Sequence, residues 1–365
     1  MKIAILGNGQ LARMLNESIT TIDIQVDIYP LPKINKDGSS SWEDISNWKR
    51  KLKGYDVVTY EIENIAVNLL KEIEKDIPVF PPIKAIEVSQ DRFVEKTEFS
   101  KLDIKTNDYM KISSYNELTT ASEKFNFPFI IKTRRFGYDG KGQFIIHQKS
   151  DMLKAWNQLG NYELIAESYV NFDFEVSQIA CRDKNGNIVY YPLVRNEHKE
   201  GILRETHVLN FDKHLVDQAQ GYIKKLLCYF NYVGTLSVEF FVLNDELLIN
   251  EIAPRVHNSG HWSINGAKTS QFKNHMLSIS GFELGKTDRQ SLHITMVNLI
   301  GEDITDDRYK KHSNIFSKSY KKDVRPGRKM GHINILSDNL HQHNKLIDSV
   351  YDGLVANRIL NKLDK

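Results

Sequence analysis

The chain has 365 residues, 41% of them hydrophobic and 26% charged, with a formal charge of +2. Single cores rarely grow past roughly 250–300 residues, so two or three domains are expected, and the composition is that of an ordinary globular protein. Near-neutral charge argues against a large electrostatic footprint for nucleic acid or an acidic membrane. Two distant cysteines, Cys181 and Cys228, exclude a disulfide framework and any CxxC site. No run approaches the roughly 18–20 apolar residues of a bilayer span, and the first residues lack a signal-peptide pattern, so a soluble, cytoplasmic protein is expected.

In chain order, Ile3 to Leu6 reads as a buried strand running into the glycine turn Gly7-Asn8-Gly9 and a helix from Gln10. Further strands are expected at Ile24 to Tyr29, Tyr55 to Tyr60 and Val79-Phe80, a small α/β layer bounded by Pro81-Pro82. A charged helix follows over Gln90 to Lys101, then a strand at Phe129 to Lys132 and a second at Phe144 to His147. Between those two, three glycines in Gly137 to Gly142 rule out a helix or flat strand and predict a loop. Strands are then expected at Leu164 to Tyr169, Phe174 to Cys181, Ile188 to Val194, Leu236 to Leu243 and Glu246 to Ile252, with Asn244-Asp245 as a hairpin turn. Beyond Leu292 come strands at Ile294 to Leu299 and His332 to Leu336.

Five places carry candidate chemistry. Gly7-Asn8-Gly9-Gln10-Leu11-Ala12 fits G-x-G-x-x-G/A, with Asp27 about 20 residues on, as in a dinucleotide site. Asp27 lies inside its strand, however, so a structural turn and a phosphate contact stay open beside NAD. Glu239 and Glu251 sit on two strands joined by a tight turn, which brings two acids together in apolar surroundings. Such a pair wants a cation, and Mg²⁺ suits carboxylates, with Asn250 a further oxygen; the alternative is a solvated outer face. Lys132 before the glycine loop 137–143 offers a charge for phosphate, and the loop's amides can close over it. The polar segment 253–262 carries His257 and His261; Pro254 and Gly260 forbid a helical zinc motif, and substrate contact is the better reading. Lys321 to Lys329 holds five basic residues around Pro326-Gly327, a phosphate loop or a solvated basic turn.

Taken together, GNGQLARML from Gly7, EIEN at 61–64, QDR at 90–92, GYDGKGQ at 137–143, NEIAPRVHNSGHW at 250–262 and RPGRKMGH at 325–332 resemble the N5-carboxyaminoimidazole ribonucleotide synthetases of the ATP-grasp superfamily. The resemblance spans almost the whole chain. It implies an α/β and α+β protein: a doubly wound pre-ATP-grasp domain over 1–90, an ATP-grasp module over 91–288 and a small C-terminal domain over 289–365. It also implies a homodimer, and a reaction in which ATP, Mg²⁺ and bicarbonate carboxylate 5-aminoimidazole ribonucleotide through carboxyphosphate.

By position, the resemblance assigns ATP to Arg92, Lys132, the loop Gly137, Tyr138, Asp139, Gly140, Lys141, Gly142 and Gln143, then Glu167, Ser168, Tyr169, Val170, Glu175, His198, Asn250 and Glu251. Glu239 and Glu251 hold metal. Tyr138, Asp139, Lys141, Arg255 and His257 face the imidazole ribonucleotide and bicarbonate, while Lys322 and Arg328 take its phosphate. Asp139 and His257 are the candidate proton handlers, with Arg255 and Lys322 beside them in the reacting centre. Phe136 departs from the pattern, standing where relatives usually carry glycine. The rival readings are another ATP-grasp ligase (a formate-dependent glycinamide ribonucleotide transformylase or a biotin carboxylase), an NAD-dependent dehydrogenase and a non-catalytic nucleotide-binding protein. The chain lacks a biotin-accepting AMKM segment.

Overall fold

The computed structural model describes residues 1–35, 37–137, 141–303 and 312–354. The first layer is a three-stranded parallel sheet of β1 (Lys2–Leu6), β2 (Gln25–Tyr29) and β3 (Val57–Tyr60), in the order β2-β1-β3. Parallel neighbours need crossover connections. These carry α1 (Gln10–Glu17) and α2 (Trp42–Leu52), and α3 (Val67–Glu74) follows β3. Val79 makes a single parallel bridge to Val58 instead of a fourth strand. Only two apolar residues precede Pro81-Pro82 there, and Pro82 already caps α4 (Ile83–Ser89).

Asp91 begins α5 (Arg92–Lys101), its carboxylate accepting the amides of Phe93 and Val94. A small antiparallel sheet follows: β4 (Tyr109–Ile112), β5 (Phe129–Thr133), β6 (Gln143–Ile146) and β7 (Leu164–Ser168), ordered β4-β7-β5-β6. It is backed by α6 (Tyr115–Phe125) and α7 (Asp151–Leu159) over a core including Ile112, Phe129, Ile131, Ile146 and Ala166.

The large sheet contains β8 (Phe174–Arg182), β9 (Ile188–Tyr190), β10 (Val194–Lys199), β11 (Ile202–Val208), β12 (Gly234–Leu243) and β13 (Glu246–Ala253). Helix α8 (Lys213–Tyr229) seals one face against Val238, Phe240, Val242 and Ile249. The strand expected over Ile188 to Val194 is in fact two. Tyr191-Pro192-Leu193 separates them, because a proline has no amide to give to the ladder. After α9 (Ser263–Gly266) and α10 (Gln271–Ser280), the strands β14 (His293–Ile300), β15 (Ile315–Ser319) and β16 (Lys329–Ser337) extend this same sheet, and α11 (Leu340–Gly353) lies against it. Its order is β13-β12-β8-β10-β11-β14-β16-β15, with β9 on β8. The C-terminal region therefore adds no sheet of its own. No described helix is long and apolar enough to cross a membrane.

Candidate active site

Both residues of the turn Asn244-Asp245 have positive φ, 51° and 60°, the geometry of a two-residue hairpin. That turn sets the register of β12 and β13, in which Glu239 is the direct partner of Glu251. The register then slips, so that Phe240 faces Ile249 and Asn250 is the bulged residue. A bulge re-aims side chains. The wall of the cleft thus carries an acid from each strand and an amide oxygen between them.

Burial pushes the Glu239 carboxyl up to about 7; His198 opposes this, while the charges of Glu251 and Glu175 add to it. A buried acid pair of this kind is costly without a cation. Two carboxylates and an amide oxygen are the hard donor set that Mg²⁺ accepts, so the residues fit that ion. Next to Glu239 lies His257, Nε2 3.3 Å from its Oε1. The Ser259 amide donates to His257 Nδ1 at 3.3 Å, so the ring proton sits on Nε2 and points toward Glu239. Burial and the neighbouring Arg255, Lys329 and His198 charges keep His257 neutral, its pKa well below the usual range. Deeper in the cleft, His198 Nδ1 is 2.7 Å from Glu175. Burial would lower the His198 pKa, but the Glu175 hydrogen bond and the Glu239 charge outweigh it and raise it.

Helix α5 brings three residues to the cleft at i, i+3 and i+4, which is one helix face. Arg92 donates to the carbonyls of Thr133 (3.3 Å) and Gly137 (3.4 Å) and lies 3.7 Å from Glu251. One guanidinium thereby joins the end of β5, the glycine loop and the acid pair. Glu95 is buried and accepts the Ile252 amide at 2.9 Å, pinning β13 beside Glu251. Lys96 is 1% exposed and reaches Glu167 on β7, as does Lys132 on β5. Burial would raise the Glu167 carboxyl, but the charges of Lys132 and Lys96 hold it at about 2.

The glycines of the loop leave little room for a side chain where the structure describes them. A Cβ on Gly137 would lie 2.9 Å from Arg92 Nη1, and one on Gly142, at φ +73°, would lie 2.6 Å from Thr133 Oγ1. Phe136 has φ +62°, the left-handed region where glycine is favoured, which gives the departure a physical cost. Tyr138, Asp139 and Gly140 lie outside the described residues. Lys141 is exposed, Gln143 pairs with Lys132 across β5 and β6, and Ser168, Tyr169 and Val170 lead out of β7 toward β8.

The first turn resolves differently from a dinucleotide site. Glu61 places its carboxylate under the turn and accepts the amides of Gly9 (2.5 Å) and Ala12 (2.9 Å). The anion at the start of α1 is thus the protein's own, and a Cβ on Gly7 would lie 2.3 Å from Glu61 Cγ. Asp27 is bound by the Tyr55 hydroxyl at 2.5 Å. Two residues on, Glu63 grips Arg255 in a two-point ion pair at 2.5 and 3.1 Å. Burial would raise the Glu63 carboxyl, yet Arg255 holds it below its usual range. Gln90 donates to the carbonyls of Glu63 and Ile65, while Asp91 pairs with Arg134. The EIEN and QDR segments therefore lock the first layer onto the cleft.

Lys322 donates to Gln10 at 2.5 Å, so the basic loop meets the first turn, while the half-buried Arg328 donates to the Asp323 carbonyl at 3.1 Å. His261 and His332 both bond the Tyr320 hydroxyl at 2.9 Å, which ties the 253–262 segment to β16. Sequence reasoning missed Glu61, Glu63, Glu95 and Lys96. The i, i+3, i+4 spacing from Arg92 was the available signal for the last two.

Three family models match in succession: a ribonucleotide synthetase pre-ATP-grasp domain over residues 1–90, an ATP-grasp domain over 97–272 and a phosphoribosylaminoimidazole carboxylase C-terminal domain over 295–345. An N5-carboxyaminoimidazole ribonucleotide synthase of Pseudomonas aeruginosa is 35% identical over 338 residues, 91% of this chain and 93% of that one. The chain belongs to the N5-carboxyaminoimidazole ribonucleotide synthetase family of the ATP-grasp superfamily. The synthetase of Thermus thermophilus superposes with a TM-score of 0.88 at 36% identity, covering 97% of this chain and 98% of that one. The Aspergillus clavatus synthase, solved with ADP and 5-aminoimidazole ribonucleotide, gives 0.85 at 26% identity over 96% and 97% of the two chains. The chain is accordingly an ATP-grasp ligase of purine biosynthesis that forms N5-carboxyaminoimidazole ribonucleotide, and the dehydrogenase, binding-protein and other-ligase readings fall away.

Proposed function

We propose that bicarbonate is the carboxyl source and that the chemistry runs in two steps in this cleft. An oxygen of bicarbonate takes the γ-phosphoryl group of ATP, giving carboxyphosphate and ADP. The exocyclic amine of 5-aminoimidazole ribonucleotide then attacks the carboxyl carbon, phosphate leaves, and the amine gives up a proton. The observation that most favours a phosphoryl-transfer centre is the in-register pair Glu239 and Glu251 with Asn250 bulged between them, tied by Arg92 to the glycine loop. Glu239 and Glu251 would hold Mg²⁺, which neutralises charge developing on the phosphates.

Lys132 and Arg92 bind phosphate, Glu167 to Val170 line the adenine, and Glu175 with His198 takes the ribose. Arg255, oriented by Glu63, and Lys322, oriented by Gln10, position the imidazole ribonucleotide, with Arg328 and Lys141 at its phosphate and carboxyl ends. His257 in its Nε2–H form is a donor toward Glu239, which leaves Asp139 or the departing phosphate to take the amine proton. The division into 1–90, 91–288 and 289–365, a homodimer and a cytoplasmic location complete this reading. Labelled bicarbonate tests it: the label must enter the product carboxyl only with ATP and Mg²⁺ present. Incorporation that survives chelation of divalent cations would contradict the assigned metal site.

A further inference from the structure

Lys96 is a buried cleft residue to which the reaction above gives no part. Its ammonium donates to Thr106 Oγ1 (2.8 Å) and Asn107 Oδ1 (2.7 Å) and lies 3.6 Å from Glu167 Oε2. Lys132 sits 3.0 Å from the same oxygen, and the Asn107 amide reaches it at 3.2 Å. Two ammonium groups therefore share one carboxylate oxygen. They differ in access: the Lys132 side chain is 14% exposed, while those of Lys96 and Glu167 are each 1% exposed. Only Lys132 borders the open cleft.

A nucleotide phosphate entering the cleft competes with Glu167 for Lys132. Were Lys132 the sole partner, its departure would strand a buried carboxylate, which is strongly unfavourable. Lys96 removes that penalty because it is already fixed beside Glu167 by Thr106 and Asn107. We infer that Lys96 is a positioning residue, a permanent counter-ion for Glu167 that frees Lys132 to bind the nucleotide phosphates. Thr106 in turn donates to the Ile249 carbonyl at 2.9 Å, so the counter-ion is anchored on the strand that carries Asn250 and Glu251. The inference rests on the ATP reading of the cleft and on Lys132 as its phosphate ligand.

Lys96→Met, which keeps most of the length of the side chain without its charge, tests the idea. The expected result is an ATP KM and an ADP Kd raised about tenfold or more, the scale set by breaking a buried ion pair. kcat should stay within about twofold and the KM for the imidazole ribonucleotide should not move, since the nucleotide binding that is lost is shared equally by the ground and transition states. Adding Glu167→Gln, whose neutral amide holds Lys132 without an opposing charge, should bring the ATP KM at least about fivefold below that of Lys96→Met alone. A purely structural Lys96 would weaken both substrates and show no such rescue, and that result overturns the proposal. Should Lys96→Met fail to fold, the double variant is compared with Glu167→Gln alone. The proposal requires their nucleotide affinities to agree within about threefold, whereas a further tenfold loss refutes it. Wild-type protein that binds no ADP at all would instead sink the ATP reading itself.

Discussion

Glu61 is the clearest case of a site residue whose effect follows from geometry. Its carboxylate is 7% exposed and accepts two amides at the start of α1, where the helix dipole favours negative charge. Hydrogen bonds to a charged group contribute about 1.5–3 kcal/mol each, so losing both in Glu61→Ala should cost about 3 kcal/mol once water entering the space is allowed for. The same geometry couples Glu61 to Gly9, where a Cβ would lie 2.8 Å from one carboxylate oxygen and 2.9 Å from the other. Gly9→Ala alone therefore displaces the carboxylate and should cost about 2–3 kcal/mol. In the Glu61→Ala background the Cβ has room, and only the ordinary disadvantage of Ala at an N-cap remains, about 1 kcal/mol. Urea denaturation of the four proteins of this cycle gives the coupling directly, and it should be about 1–2 kcal/mol. Strict additivity would mean that the carboxylate does not occupy the turn, and the account of the first motif would fail.

Two further perturbations probe other joints. Asp91→Ala removes the cap of α5 and leaves Arg134 with only the exposed Glu163 as its carboxylate partner, so a loss of about 2–4 kcal/mol and a fall of at least about 5 °C in apparent Tm are expected. A shift under about 1 °C would show that Asp91 holds neither. The second is a pH effect at α11. His343 Nε2 shares a hydrogen bond with Thr295 Oγ1 at 2.9 Å, and its buried Nδ1 has no partner among the described residues. Burial, then His293 and His207, lower its pKa from 6.5 to about 4. A folded-state value below the free value means stability that is full above pH 6.5 and drains away as pH falls toward 4, up to about 3 kcal/mol. Glu205, bonded to Tyr351 and 3.0 Å from His207, and the nearby Arg204 complete the charged surroundings. Amide exchange across α11 should therefore accelerate between pH 6.5 and 4.5, and His343→Gln should remove most of that pH dependence. Equal pH dependence in the variant would assign the effect elsewhere.

How much of this was legible in the sequence depended on how local each feature is. The β12–β13 hairpin was readable because a two-residue turn and two apolar runs fix its pairing, and Glu239 and Glu251 came with it. The bulge at Asn250 was not, since it arises from the pairing itself. β10 escaped because Arg195, Asn196, Glu197 and His198 lack the apolar pattern of a strand; the strand is polar because it borders the cleft, where Asn196 bonds Ser177 and His198 bonds Glu175. That β14 to β16 continue the large sheet depends on β11 meeting β14 across about 90 residues, which no window of sequence contains. Lys96 lay unremarked in a charged helix; its spacing from Arg92 put it on the same face, but that the face is buried follows from the fold. Glu61 and Glu63 had a family likeness but no role until the glycine turn and Arg255 were seen to close on them.

The central claim is that ATP cleavage in this cleft is coupled to the imidazole ribonucleotide. The most direct measurement is ADP release with ATP, Mg²⁺ and bicarbonate, with and without 5-aminoimidazole ribonucleotide, in the wild type and in Glu251→Gln. The account predicts strong stimulation by the ribonucleotide in the wild type and its loss in the variant, by at least about 100-fold if a ligand to the phosphate-bridging ion is removed. ADP release that ignores the ribonucleotide, or that survives Glu251→Gln, would contradict it.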